Sequence, residues 1–190
     1  MPARQLFPTL LYEEEIGDPS LLGQLAHSIR SLAADDKAGQ RWSKAHHYRG
    51  YTSYASLNDL PRRDPAFAEL GKLLTRHARE FAGQLRWDAR PRLDSLWVNL
   101  LKTGGHHSGH IHPHSIVSGT LYVEVPAGSG GIRFEDPRLP LMMAAPQRTD
   151  AFETVEPRPG LLLMWESWLR HEVLPGIGKG ERLSISFNFA

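Results

Sequence analysis

Gly105-His106-His107-Ser108-Gly109-His110-Ile111-His112-Pro113-His114 is the stretch on which the reading of this sequence turns. Five of the chain's ten histidines fall inside it, far denser than even placement over 190 residues. Such a segment binds something or titrates. Side chains alternate along an extended backbone, so His110 and His112, with His114 next in the series, can project to one face while Ile111 points to the other. An H-x-H on a strand is therefore a ready pair of imidazole ligands. Imidazole suits iron, zinc, copper and nickel alike, so the pair does not by itself name the metal.

The flanks make the strand reading the natural one. From Leu93 onward the sequence consists of short runs rich in Val, Ile, Leu, Phe, Tyr and Trp, punctuated by Thr103-Gly104-Gly105 and Gly128-Ser129-Gly130-Gly131. Candidate strands are Ser95 to Leu101, Ile116 to Val125, Ile132 to Glu135, Gly160 to Trp165 and Arg182 to Phe189, with Pro137 to Pro157 as a long Pro-punctuated connection. The N-terminal half differs. Asp18-Pro19 followed by Leu21, Leu22, Leu25, Ile29 and Leu32 predicts a capped amphipathic helix. Asp64-Pro65 repeats the device ahead of Phe67, Leu70, Leu74, Phe81 and Leu85, predicting a second helix from Pro65 to about Leu85. Between them, Trp42 to Leu60 reads as irregular or weakly stranded.

Helices first and short strands afterwards predict a mainly β (α+β) fold, a cupin-like jelly roll buttressed by helices. At 190 residues a single domain is expected, with residues 1–90 as helical and irregular support and residues 91–190 as the β core. The 41% hydrophobic and 23% charged residues are the balance of a globular protein. A net charge of +1 with interspersed signs gives nucleic-acid binding no support. The absence of cysteine excludes disulfides, thiolate catalysis and cysteine-ligated metals, so any metal must sit on His, Asp or Glu. The stretch from Met1 to Glu15 lacks the long apolar core of a secretory signal, and no apolar run reaches membrane-spanning length. The expectation is a cytoplasmic protein without a membrane partner.

A third ligand is needed, and His171 is the natural candidate. It follows Pro159-Gly160-Leu161-Leu162-Leu163-Met164-Trp165, an apolar run that could return the chain to the same end of a barrel. His27, His46, His47 and His77 lie in the helical half, where a lone histidine is more often a core or surface residue. His106, His107 and His114 are divided between supporting, solvent-facing and substrate-facing roles. The C-terminal strand carries a second signal. Leu183, Ile185, Phe187 and Phe189 share one face, and Arg182, Ser184, Ser186 and Asn188 the other. The polar set is either a solvated outer face or the lining of a barrel mouth, and Arg182 with Ser184 offers a guanidinium fork plus a hydroxyl for a small carboxylate.

Together, H-x-H, Gly130-Gly131-x-x-Phe134, Pro159-Gly160, His171 and Arg182-x-Ser184 resemble the iron(II) and 2-oxoglutarate-dependent oxygenases. The distal His and the basic residue are separated by eleven residues, as in that superfamily. The segment His110-Ile111-His112-Pro113-His114-Ser115-Ile116-Val117-Ser118-Gly119-Thr120-Leu121-Tyr122 resembles the H-x-H-P-x-S-x-x-S-G-x-x-Y pattern of its 2OG-Fe(II) oxygenase family. The likeness extends over nearly the whole chain, including Leu6-Phe7-Pro8-Thr9 and Gly50-Tyr51-Thr52-Ser53-Tyr54.

The resemblance implies a double-stranded β-helix with Fe(II) on His110, His112 and His171. It implies 2-oxoglutarate on Arg182 and Ser184, O2 as co-reactant, and Asn99 at a cosubstrate-binding position. Two residues after Asn99, where a Tyr is frequent, this chain has Leu101. The main departure is His112, which stands where most of the superfamily has a carboxylate; Glu124, Glu135 and Asp136 are the carboxylates that could serve instead.

The implied activity is hydroxylation of a small polar molecule, amino acid or peptide side chain with release of succinate and CO2. Trp97, Trp165, Trp168, Tyr122, Arg133 and Arg138 are the residues that could approach its substrate. A homodimer is the default assembly. Two other readings stand beside this one: a cupin-type three-His metal enzyme without 2-oxoglutarate, and a non-catalytic metal-binding or carbohydrate-binding jelly roll.

Overall fold

A computed structural model of the chain describes residue 4, residues 6–138 and residues 151–190. Helix α1 (Pro19–Asp35) begins where the Asp18 carboxylate accepts the backbone N–H groups of Ser20 and Leu21, both at 3.0 Å, with Pro19 in the first turn. Two further helices follow, α2 (Lys37–Ala45) and α3 (Pro65–Gln84). Asp64 caps α3 through the Ala66 N–H at 2.8 Å. Helix α2 was not expected; its signal is Asp36, which caps it through Ala38 and Gly39.

The strands are β1 (Leu11–Glu15), β2 (Gly50–Thr52), β3 (Leu93–Leu101), β4 (His107–His110), β5 (Val117–Glu124), β6 (Ile132–Glu135), β7 (Phe152–Val155), β8 (Leu161–Glu166), β9 (His171–Val173) and β10 (Arg182–Phe189). They form a six-stranded sheet, β1-β8-β5-β10-β3-β2, and a four-stranded sheet, β4-β9-β6-β7, with antiparallel pairing throughout. This is the jelly-roll arrangement. The five expected strands are present, and β1, β2, β4, β7 and β9 are additional. Within the expected long connection, Phe152–Val155 is strand β7, and residues 139–150 lie outside the described residues.

The larger sheet is covered on both faces. Toward the helices, Leu96, Val98, Leu100, Leu121, Leu162, Met164, Leu183, Ile185, Phe187 and Phe189 pack with Leu25, Ile29, Phe67, Leu70, Leu74 and Phe81 in the main core. Burial of each such side chain contributes about 1.5–3 kcal/mol. The opposite face looks into the barrel, where Tyr122, Leu161, Leu163 and Trp165 meet Ile132, Phe134 and Leu169 in a smaller core. Because the helices take up the apolar alternation, the polar alternation of β10 is turned inward. Arg182, Ser184 and Asn188 are buried, Ser186 is half-buried, and all four line the barrel cavity rather than a solvated face. No helix among the described residues is long and apolar enough to cross a membrane.

Candidate metal centre

His110, the last residue of β4, is the direct partner of His171, the first of β9, and their ring centroids are 4.4 Å apart. The strand ends there. His112 therefore lies beyond β4 rather than on it, its backbone N–H donating to the Ser167 carbonyl at 3.0 Å. Its ring still returns to the cluster, stacked at 5° to that of His171, with Nε2 3.4 Å from the Nε2 of His171. One ring nitrogen from each of the three histidines lies within 4.8 Å of the others.

The free edges of two rings are fixed by their own backbone. His110 Nδ1 lies 2.7 Å from the Ser108 carbonyl oxygen, and His171 Nδ1 lies 2.9 Å from that of Leu169. A carbonyl only accepts, so both Nδ1 atoms carry the proton and both Nε2 atoms present lone pairs to the centre. This is the support that metal-bound imidazoles use. Burial, aided by the neighbouring His110, holds His112 down to about 4, and burial holds His171 down to about 3. Three imidazole nitrogens converging at such distances, two of them with lone pairs aimed at the centre, are a donor set that fits a divalent metal.

The carboxylates considered as alternatives are engaged elsewhere. Glu124 pairs with Arg30 at 2.6 Å, Glu135 with Arg170 at 3.0 Å, and Asp136 with Arg138. Among the described residues, the grouping able to hold a metal is His110, His112 and His171, with no acid in it.

The cluster opens on a cavity of about 670 Å³ that is also lined by Asn99, Tyr122, Arg182 and Ser184. Arg182 is only 5% exposed, and it faces no carboxylate among the described residues. Its Nη1 donates to the Gly130 carbonyl at 2.8 Å, while its buried Nε has no partner among the described residues. The guanidinium lies 5.7 Å from the Tyr122 ring centroid, and the Tyr122 hydroxyl is likewise buried without a partner among the described residues. Burial pushes that phenol up to about 12, so it remains protonated. Burial also lowers the Arg182 pKa, opposed by Tyr122 and Tyr48. Orphaned donors at a buried cation are costly, and a carboxylate satisfies them. Ser184 stands opposite both Tyr122 on β5 and Asn99 on β3.

Asn99 is tied into a network. Its Oδ1 accepts from Thr52 Oγ1 at 2.9 Å and its Nδ2 donates to Ser186 Oγ at 3.0 Å. The Tyr48 hydroxyl lies 3.3 Å from that Oδ1 and 2.8 Å from His107 Nε2. Burial, then the Arg182 charge, holds His107 down to about 3. Tyr48 escaped the sequence reading because it sits in the irregular stretch before β2, where no periodicity marks an inward position.

Trp97, Trp165 and Tyr122 line the cavity as expected of them. Trp168, Arg133 and Arg138 do not: Trp168 is half exposed, Arg133 pairs with Glu172 and lies over Phe152, and Arg138 pairs with Asp136. His114 is exposed at the rim, His106 is exposed beside Gly104, and His77 is a buried partner of the Tyr12 hydroxyl at 2.8 Å.

Residues 95–188 match the family described as "Putative 2OG-Fe(II) oxygenase". Comparison with the curated proteins gives no match. Among solved structures, a prolyl-4-hydroxylase from Pseudomonas putida superposes with a TM-score of 0.67 at 20% identity, covering 95% of this chain and 92% of that one. SnoN, a non-heme alpha ketoglutarate dependent epimerase from nogalamycin biosynthesis, gives 0.69 at 15% identity over 95% and 76%. HygX from Streptomyces hygroscopicus, with nickel and 2-oxoglutarate bound, gives 0.62 at 13% identity over 96% and 82%. At these identities the likeness is one of fold.

Proposed function

Because this chain resembles the 2OG-Fe(II) oxygenase family, which matches it over residues 95–188, we propose that it is an Fe(II)- and 2-oxoglutarate-dependent dioxygenase that hydroxylates an unactivated C–H bond. His110, His112 and His171 would hold the iron. Arg182, with Tyr122 and Ser184, would take the distal carboxylate of 2-oxoglutarate, and Asn99 would border it. When bound, iron and cosubstrate supply the oxidising chemistry: 2-oxoglutarate and O2 become succinate and CO2, and one oxygen atom enters the substrate C–H bond as a hydroxyl.

The protein's own residues supply placement. The Ser108 and Leu169 carbonyls hold two ligand rings in one tautomer. Arg182 would set the cosubstrate's orientation through charge-assisted hydrogen bonds to its distal carboxylate. Trp165 packs edge to face on His171 at 4.6 Å, and Phe134 on Trp165 at 5.2 Å, keeping water from the inner side of the centre.

The observation that carries this reading is a buried guanidinium with no acidic partner among the described residues, in the same cavity as three converging imidazoles. A three-His enzyme that does not use 2-oxoglutarate gives no reason for a buried cation on this wall of the cavity. Calorimetric titration tests the point: 2-oxoglutarate should bind the Zn(II)-loaded chain and bind the Arg182→Met variant much more weakly. Equal affinity in the two would overturn the assignment.

A further inference from the structure

The cavity continues past the metal centre to an outer rim, where Tyr54, Asn58, Asp94, Trp97 and Ile111 line it. Tyr54 and Trp97 meet edge to face, with centroids 5.2 Å apart at 66°, so their rings make two walls of a corner. The Trp97 ring lies 6.3 Å from that of His112, which joins the corner to the candidate metal centre.

The charges of this cavity are polarised. Arg182 is the one Lys or Arg in its described lining and Asp94 the one carboxylate. Arg182 pairs with Leu101 at one end of β3, and Asp94 lies seven residues away near the other end, roughly 23 Å at the rise of a strand. Asp94 is exposed and makes no hydrogen bond or ion pair with the described residues.

We infer that the substrate is an organic cation whose ammonium group is held at the rim by Asp94 and the Tyr54–Trp97 corner, while an uncharged end reaches the three-His centre. The reacting end rests on the oxygenase reading; the cation site stands on the rim. An aromatic corner with a carboxylate three residues along the same strand, both lining one cavity, suits a weakly hydrated ammonium group. Beyond the metal centre and Arg182, both of which the cosubstrate would engage, the described lining holds no Lys or Arg to receive an anionic substrate. Three imidazoles bring no negative charge to a bound divalent metal, so the only fixed negative charge in the described lining is that of Asp94, and a cationic group is drawn toward the rim.

The test compares choline with its uncharged isostere 3,3-dimethylbutan-1-ol, titrated by calorimetry into the Zn(II)-loaded chain with and without 2-oxoglutarate. Choline should bind tighter by at least about fivefold. That preference should vanish in Asp94→Asn and shrink in Tyr54→Leu, both exposed positions, with 2-oxoglutarate affinity unchanged. Equal binding of the two probes, no choline binding, or a preference that survives in Asp94→Asn would overturn the inference. Loss of 2-oxoglutarate binding alone would count against the oxygenase reading, since the titrations without cosubstrate still read the cation site.

Discussion

His110 and His171 face each other across the β4–β9 ladder, and each ring is pinned by the carbonyl oxygen two residues before it in sequence. The repetition gives both Nε2 atoms the same aim without help from a carboxylate partner. A divalent metal should therefore bind without added cosubstrate, and His171→Ala should lower Zn(II) affinity by more than about 100-fold, beyond the effect of losing a supporting residue. Competition with a chromogenic chelator measures this. Retained affinity in that variant would place the metal elsewhere.

Arg182→Met separates binding from stability. The substitution should cost roughly tenfold to a hundredfold in 2-oxoglutarate affinity while metal affinity stays within about twofold. It also removes a buried cation whose one side-chain hydrogen bond among the described residues is to Gly130. The melting temperature of the cosubstrate-free variant should thus equal or exceed that of the parent chain. A large drop in Tm would mean that the guanidinium is structural.

Acid should destabilise the metal-free chain before the carboxylates titrate. Burial holds His107 and His171 down to about 3 and His112 to about 4, from an ordinary value of 6.5. Below 6.5 the unfolded chain takes up protons that the folded chain refuses. The stability these groups contribute is whole above that pH and is lost as pH falls toward 3–4. Thermal melts should decline steadily from pH 6.5 to 4, with a shallower slope in His107→Asn. A flat profile across that window would contradict the burial of these rings.

Gly130 is fixed by close approach: a Cβ there would lie 1.9 Å from the Leu174 carbonyl oxygen. Its own carbonyl receives Arg182. Gly130→Ala should destabilise the fold by about 1–3 kcal/mol in denaturant titration and weaken 2-oxoglutarate binding as well. Unchanged cosubstrate affinity would show that this carbonyl does not position the guanidinium.

What the sequence made legible follows from how local each signal is. Asp18-Pro19 and Asp64-Pro65 set the starts of α1 and α3 because capping depends on neighbours within a few residues. The alternation of β10 gave both faces, yet only the packing of the helices against Leu183, Ile185, Phe187 and Phe189 decided that Arg182 and Ser184 point into the barrel. Strands of three or four residues such as β4 and β9 are created by pairing with each other, so their sequences carry little strand signal. The same holds for Glu13, Glu14 and Glu15 of β1, which extend along β8. His112 shows the limit most clearly. Its spacing from His110 suggested a common strand, but the chain turns after His110 and brings the ring back through the Ser167 contact. Tyr48 and Asp94 reach the cavity from positions with no motif around them.

The most direct test is anaerobic reconstitution with Fe(II) followed by addition of 2-oxoglutarate, watching for the weak visible metal-to-ligand charge-transfer band. The band should appear in the parent chain, be absent in His171→Ala, and need far more 2-oxoglutarate in Arg182→Met. Bound iron that shows no band at saturating 2-oxoglutarate would contradict the assignment of this cavity to an iron-bound cosubstrate.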